Sequence, residues 1–69
     1  MLQVLKIEAG TFAIMEDDLW WPGRFDSAGT ARRAAIMGED ALARLQARKN
    51  AEAHRGWGII TVEDLRAVS

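Results

Sequence analysis

Two adjacent tryptophans followed by a turn and a helix-cap signal constrain the fold of this chain more than any other stretch. Trp20 and Trp21 directly precede Pro22, and Ser27 follows shortly after them. Proline has no amide hydrogen to donate to a neighbouring strand, so a strand that reaches Pro22 lies at a sheet edge or ends there. The hydroxyl of Ser27 can accept from the free amides of a first helical turn, which makes it a good N-cap. The stretch therefore predicts the point at which strand gives way to helix.

The same tryptophans predict an outward-facing aromatic side chain. Neighbouring side chains of a strand point to opposite faces of its sheet, so one of Trp20 and Trp21 enters the core and the other faces outward. The sequence leaves open which of the two is exposed. A small protein that turns a large aromatic outward often does so to meet a partner. In the alternative interpretation, two of the three tryptophans are core residues and the third covers a loop.

Two segments ahead of the tryptophans have the composition of strands. Residues 2–8 and 11–15 are rich in apolar, strand-forming side chains. A turn signal at Ala9-Gly10 separates the two segments, and an acidic break at residues 16–18 separates the second from the tryptophans. The sequence therefore predicts a three-stranded antiparallel meander over about residues 2–25.

The rest of the chain predicts helices. An alanine-rich helix is predicted over about residues 28–37 with Gly38 as its stop, and its small side chains allow close approach to the sheet. Apolar residues at helical spacing predict a second helix over about residues 39–50. A capping box that begins at Thr61 predicts a last helix over about residues 62–68.

These elements predict an α+β fold in one domain spanning residues 1–69. It consists of a three-stranded antiparallel β-meander packed by an alanine-rich helix and followed by one or two short helices. Ile36 is expected to supply a bulky contact, and Gly29 to weaken the first helix relative to alanine. The predicted core residues are Val4 or Leu5, Phe12, Ile14, one of Trp20 and Trp21, Phe25, Ala31, Ala35, Leu42, Leu45, Ile60 and Leu65.

Composition excludes several ways of stabilising so small a chain. The 69 residues contain no cysteine and a single histidine, His54, which removes disulfides and most structural zinc sites. A partner subunit remains as a source of stability, so both a monomer and a homodimer are open. There is no apolar run long enough to cross a bilayer and no leader-like start, so we expect a cytoplasmic protein with no membrane partner.

The charged residues are unevenly spread along the chain. The net charge is −1, yet residues 1–27 carry an acidic excess and residues 28–58 a basic excess. Such an asymmetry can steer a charged partner or let two copies pair head to tail. The alternative is chance clustering of surface charges in a short chain.

No set of residues resembles a catalytic or metal-binding apparatus. Ser27 and Thr61 are better explained as helix caps, and His54 lacks a paired nucleophile. The acidic cluster at residues 16–18 lacks the loop length and ligand spacing of a calcium site, and we interpret it as a hairpin turn. We therefore expect no enzyme activity, no catalytic residue, no cofactor and no bound metal.

The strongest functional signal is a set of side chains suited to a protein interface. Tryptophan and arginine are the residue types most enriched at interface hot spots. The sequence predicts a non-enzymatic protein-interaction module that binds a protein partner or a second copy of itself through Trp20, Trp21, Arg24 and Trp57. The alternative is nucleic-acid binding through the helix cations, although a pI of about 5.7 is low for a general DNA binder. Those cations are Arg32, Arg33, Arg44, Arg48 and Lys49.

One segment resembles a known sheet–helix arrangement. Gly23-Arg24-Phe25-Asp26-Ser27, followed by alanines at 31, 34 and 35, resembles the end of the sheet and the packed helix in AP2 and phage-integrase arm-binding DNA-binding domains. The likeness covers about residues 11–36 and implies a three-stranded sheet with a helix across it. Those families read DNA with basic and aromatic residues on the exposed sheet face. Here the strands hold few basic residues and the hairpin tip is acidic, so the likeness bears on fold more than on function.

In size and composition, the chain also resembles short uncharacterised proteins of phages and prophages. Those proteins are compact, rich in alanine and arginine and free of cysteine, and they often act by binding a host protein. This likeness implies a phage or prophage origin for the predicted interaction module, with a host protein as its partner.

Overall fold

The computed structural model describes residues 1–54 and 56–68, and it has a sheet followed by helices. The three strands pair antiparallel in the order β1-β2-β3, which confirms the predicted α+β class and the meander. The strands are β1 (Leu2–Glu8), β2 (Thr11–Glu16) and β3 (Leu19–Trp20), and the helices are α1 (Ala28–Ala35), α2 (Glu39–Ala53) and α3 (Val62–Val68). Arg55, which the sequence places in the basic middle segment, lies outside the described residues.

Each of the two hairpins in the sheet has a two-residue turn. Gly10 has a positive φ of 75° in the first turn, and Asp17 and Asp18 have φ values of 49° and 67° in the second. Positive φ at both central positions is the geometry of the tight turns that match strand twist, and aspartate tolerates it better than most side chains. The acidic segment is therefore a hairpin turn, as the sequence predicts.

The chain beyond β3 still bonds to the sheet. The Trp21 amide donates to the Ile14 carbonyl at 2.8 Å, and Phe25 exchanges two backbone bonds of 2.8 Å with Phe12. On its other side Phe25 bridges to Ile60, whose amide donates to the Arg24 carbonyl at 2.8 Å. The segment after Pro22 thus connects the sheet to the C-terminal part of the chain.

The core lies between one face of the sheet and the helices. Ile14 and Phe25 are fully buried there, and Val4 and Phe12 pack against them from the strands. The helices contribute Ala31, Ala34, Leu42, Leu45 and Leu65, together with Ile60 from the preceding loop. Most of the predicted core is confirmed, including Ala31, although Ala34 is also fully buried and the predicted Ala35 is only partly buried.

One prediction about the helices is wrong, because Ile36 is 87% exposed rather than packed. The helix ends also differ from their approximate predicted positions. Helix α1 ends at Ala35, before residue 37, and helix α2 runs to Ala53, beyond residue 50, so it spans 15 residues. Gly38 has a φ of 89° and caps the start of α2. Ile36 keeps helical backbone angles (φ −69°, ψ −26°) and lies four residues after the exposed Arg32, so the helical phase places it on the solvent side, away from buried Ala34.

The predicted helix starts are confirmed. The Thr30 amide donates to the Ser27 hydroxyl at 3.1 Å, which caps α1. At α3 the Thr61 amide donates to the Asp64 carboxylate at 2.9 Å, and the Asp64 amide donates back to the Thr61 hydroxyl at 3.4 Å. This reciprocal pair is the capping box expected from the sequence.

Candidate functional site

The face of the sheet that points away from the helices carries a row of apolar side chains. Residues paired across antiparallel strands share a face. Leu5 pairs with Ala13, and Met15 pairs with Trp20, on the side opposite the core residue Ile14. Ala13 is fully buried under its neighbours on this side, and Leu5 and Met15 are half-buried. Trp20 is 51% exposed. We call this side of the sheet the outer face, and it places one large aromatic at the hairpin end of the sheet.

The adjacent tryptophan points the other way. Trp21 packs against the core cluster, and its indole Nε1 donates to the Glu16 carboxylate at 3.3 Å. Its backbone bond to Ile14 continues the strand alternation past Trp20. Of the four predicted partner-binding residues, Trp21 is thus directed inward and Trp20 is directed outward.

Arg24 and Trp57 form a second aromatic feature on the outer face. Because Phe25 enters the core, the preceding Arg24 side chain points outward. Its guanidinium carbon lies 4.7 Å from the centroid of the Trp57 ring, and its Nη1 donates to the Gly23 carbonyl at 3.0 Å. A cation held over an indole face is attracted by the ring electrons, by about 0.5–1 kcal/mol at an exposed site. Trp57 is nevertheless 55% exposed.

A small cleft lies beside the Arg24–Trp57 pair. Its walls are Ile7, Glu8, Thr11, Arg24, Trp57 and Ile59, and its volume is ≈ 170 Å³. The register of β1 shifts between Lys6 and Glu8, so the bulge lets both Ile7 and Glu8 approach Thr11. Met15 and Thr11 are four residues apart on β2, which separates the two aromatic ends of the outer face by about 13 Å.

A buried amide network fixes the backbone on both sides of the Arg24–Trp57 pair. Gln46 on α2 accepts from the Arg24 amide at 2.8 Å and donates to the Gly58 carbonyl at 2.7 Å and to Asn50 Oδ1 at 2.8 Å. Asn50 Oδ1 in turn accepts from the Gly58 amide at 2.8 Å. A Cβ on Gly58 would collide with the Lys49 carbonyl oxygen, so glycine is needed for this close approach.

The sequence interpretation missed Gln46 and Asn50. A signal for Gln46 was present, because it lies four residues after Leu42 and one after Leu45, on the stripe that α2 buries. A polar side chain on such a stripe needs hydrogen-bond partners. Those partners are far away in sequence, at Arg24 and Gly58, which local patterns do not reveal.

Four of the five cations of the alternative nucleic-acid prediction are exposed, and the fifth is not. Arg32 and Arg33 are exposed on α1, and Arg44 and Arg48 are exposed on α2. Lys49 is instead partly buried, and its Nζ lies 3.1 Å from the Asp64 carboxylate. Its charge is therefore engaged within the protein, and it contributes less to an external phosphate contact than the exposed arginines do.

Asp64 is the one group whose ionisation the fold clearly perturbs among the described residues. Partial burial alone would raise the pKa of Asp64, but the hydrogen bond from the Thr61 amide and the hydrogen bond and charge of Lys49 outweigh it. The net effect lowers the pKa below its usual value of 3.8. The carboxylate therefore stabilises the start of α3 in its ionised form.

Other classes of site find little support in residues 1–54 and 56–68. Within them, no three histidine, cysteine, aspartate or glutamate side chains converge as metal ligands. Asp17 of the acidic turn accepts a 3.2 Å bond from the N-terminal amine, and His54 is exposed at the end of α2. None of the described helices has the length and apolarity required to cross a membrane. Comparison of the chain with protein-family models, curated proteins and solved structures finds no match.

Proposed function

We propose that this protein is a non-enzymatic interaction module whose outer sheet face binds a protein partner. The observation that carries the proposal is the exposure of Trp20 and Trp57 at the two ends of one apolar sheet face. Neither indole is needed to complete the core, which is closed by Phe25, Ile14 and Trp21. Burying an exposed tryptophan against a partner removes a large apolar area from water, which favours association.

Arg24 adds a positioned positive charge to this surface. Its guanidinium lies over the Trp57 ring, so the cation is already ordered before a partner arrives. Ordering a long side chain in advance lowers the entropy cost of binding. An arginine in this position can pair with a carboxylate while the neighbouring indole packs against apolar atoms. The proposed partner surface therefore combines an apolar patch with an acidic side chain at one edge.

The resemblance in size and composition to phage and prophage proteins supports a bacterial host protein as the partner. On this proposal the protein acts in the cytoplasm by occupying a surface of its target. The acidic hairpin turn, Asp17-Asp18, lies at the end of the outer face that carries Trp20 and disfavours approach of a phosphate backbone there.

Affinity capture with outer-face variants tests the proposal. Tagged wild-type protein, Trp20→Ala, Trp57→Ala and a Leu2→Ala control are incubated with lysate, with and without nuclease, and the bound proteins are identified. Leu2 is also exposed and apolar, but it pairs with Glu16 and lies off the outer face. Circular dichroism and thermal unfolding establish that each variant is folded.

The expected result is one protein that is retained by the wild type and by Leu2→Ala after nuclease treatment and is lost with either tryptophan variant. Equal recovery by all four proteins would contradict the outer-face assignment. Recovery that disappears with nuclease would instead favour nucleic-acid binding through the exposed arginines. In that case, heparin retention should fall steeply with salt and be lost in Arg32→Glu/Arg33→Glu.

A further inference from the structure

A second exposed apolar surface lies on the helical side of the molecule. The end of α1 and helix α3 border a groove of about 400 Å³ lined by Arg33, Ile36, Met37, Leu65 and Arg66. Ile36 is 87% exposed at its edge. An isoleucine so placed gains nothing from burial in the isolated protein, although it would if another surface covered it.

Arginine side chains border the apolar residues of this groove. Arg44 and Arg48 line an adjoining groove together with Met37 and Val68, so Met37 connects the two grooves. No carboxylate of residues 1–54 or 56–68 lies within ion-pair distance of Arg33, Arg44 or Arg48. The two grooves therefore form one apolar surface with a positive border, which we call the arginine groove.

The β2–β3 hairpin carries the complementary chemistry. Leu19 is 72% exposed, and it shares a cleft with the tryptophans Trp20 and Trp21 and with the carboxylates of Glu16, Asp17 and Glu39. Asp18 adds a further carboxylate in the turn. Asp17 is compensated by the N-terminal amine at 3.2 Å, yet the acidic side chains still outnumber the cations there. We call residues 16–19 with Glu39 the hairpin tip: an apolar side chain surrounded by carboxylates.

We propose that two copies of the chain form a two-fold dimer in which the hairpin tip of each copy docks in the arginine groove of the other. Leu19 then covers Ile36, and the carboxylates of the tip face Arg33, Arg44 and Arg48. Opposite charges on the two surfaces steer the encounter and fix the orientation. A two-fold contact uses the same surface of both copies, so each molecule must carry both halves of the contact.

The position of the two surfaces suits this symmetry. Glu39 borders the hairpin tip and Met37 borders the arginine groove, and these residues flank the same turn between α1 and α2. One approach of two copies can therefore satisfy both contacts at once. A domain of this size buries a modest core, and oligomerisation is a common way to add stability where disulfides are absent.

Sedimentation equilibrium over a wide concentration range tests the dimer. The wild type is expected to approach twice the monomer mass of 7.7 kDa and to dissociate on dilution and in high salt. Leu19→Ser and Ile36→Ser each remove one apolar half of the contact and should raise the dimer dissociation constant about tenfold or more. Both residues are largely exposed, so the variants should unfold at the wild-type temperature when all proteins are compared at concentrations where they are monomeric.

Mixing the two variants provides the decisive control. A Leu19→Ser copy and an Ile36→Ser copy together retain one intact tip–groove contact out of two, so the mixture should dimerise more strongly than either variant alone. A Trp57→Ala control, altered only on the outer face, should dimerise like the wild type. That control keeps failure of the dimer distinct from failure of the outer-face proposal.

Three results would overturn the inference. The first is a wild type that stays monomeric at the highest concentration, and the second is dimerisation unchanged by Leu19→Ser and Ile36→Ser. The third is growth of the wild type beyond a dimer, because a two-fold contact closes after two copies.

Discussion

Replacing Gln46 by alanine should destabilise the protein strongly, because the side chain is a buried hub. Gln46 Oε1 accepts from the Arg24 amide at 2.8 Å, and its Nε2 donates to the Gly58 carbonyl at 2.7 Å. Alanine leaves that amide and that carbonyl without their partners, at about 1–3 kcal/mol each. Asn50 continues to accept from the Gly58 amide, so we expect a loss of about 2–4 kcal/mol rather than the sum of every bond in the network.

The loss is large relative to the stability of so small a domain. Domains unfold with free energies of about 5–15 kcal/mol, and each kcal/mol shifts Tm by about 4–8 °C at this size. Gln46→Ala should therefore lower Tm by about 10–25 °C, measured by circular dichroism and checked by urea unfolding. Gln3→Ala is the matched control, since Gln3 is exposed on β1 and should change the unfolding free energy by less than about 0.5 kcal/mol.

A double-mutant cycle extends this prediction to the outer face. Gln46 holds the backbone at Arg24 and Gly58, on either side of the Arg24–Trp57 pair. Gln46→Ala and Trp57→Ala should thus be non-additive by about 0.5 kcal/mol or more in unfolding free energy. A Gln46→Ala protein as stable as the Gln3→Ala control would refute the network argument. Full additivity would show that the network does not position the pair.

Three further predictions concern the tryptophan pair, the start of α3 and the first turn of α1. Trp21→Ala should cost about 2–4 kcal/mol of unfolding free energy, whereas Trp20→Ala should stay within about 1 kcal/mol of wild type in urea unfolding; equal effects would contradict their opposite orientations. The lowered pKa of Asp64 means that its contribution is present above the unfolded-state pKa of 3.8 and is lost as the pH falls through the lower folded-state pKa. As the pH is lowered through the acidic range, the free energy of unfolding should therefore fall less steeply for Asp64→Asn than for the wild type. An equally steep fall would exclude a stabilising role of the ionised carboxylate. Gly29→Ala should raise the free energy of unfolding by about 0.5–1 kcal/mol, and with it Tm, because the new Cβ meets only Ser27 Oγ at 3.8 Å. A lower Tm would show that the alanine side chain is not accommodated in α1.

The parts of the fold that sequence predicts well are those determined by neighbouring residues. The cap at Ser27 and the capping box at Thr61 and Asp64 depend on atoms three residues apart. The Asp17-Asp18 turn depends on local backbone preference. Each can be recognised without knowledge of distant contacts, because the side chain and its backbone partner are in the same short segment.

The helix ends are harder to predict, because a glycine between two helices can end one or begin the next. The sequence predicts Gly38 as the stop of α1, whereas it lies at the N-cap of α2, and α1 ends earlier at Ala35. The second helix is predicted to end near residue 50, but alanine and glutamate favour helix and α2 continues to Ala53. Helix ends depend on where the next element begins, which is a tertiary property.

The candidate surfaces depend on contacts that no local pattern contains. Gln46 and Arg24 are 22 residues apart, and the choice between Trp20 and Trp21 depends on which sheet face the helices cover. Ile36 is exposed because the phase of α1 places it on the same side as Arg32, whereas the sequence prediction gives it a core contact and therefore contains no arginine groove. The tryptophans in the sequence indicate that an exposed aromatic surface exists, but which side chains form it depends on the fold.

If both proposals hold, the dimer presents two Arg24–Trp57 pairs to its partner. Trp20 lines the same cleft as Leu19, so the Trp20 end of the outer face adjoins the dimer contact, whereas the Arg24–Trp57 end lies away from the arginine groove and the hairpin tip and stays open. A partner that is itself multivalent would then be bound by two modules at once, and linkage of this kind raises apparent affinity by about a hundredfold or more. Ile36→Ser should therefore weaken binding to partner immobilised at high density but leave binding to a single soluble partner molecule unchanged. Equal loss in both formats would mean that the groove contacts the partner directly, and no loss in either would mean that dimerisation does not serve binding.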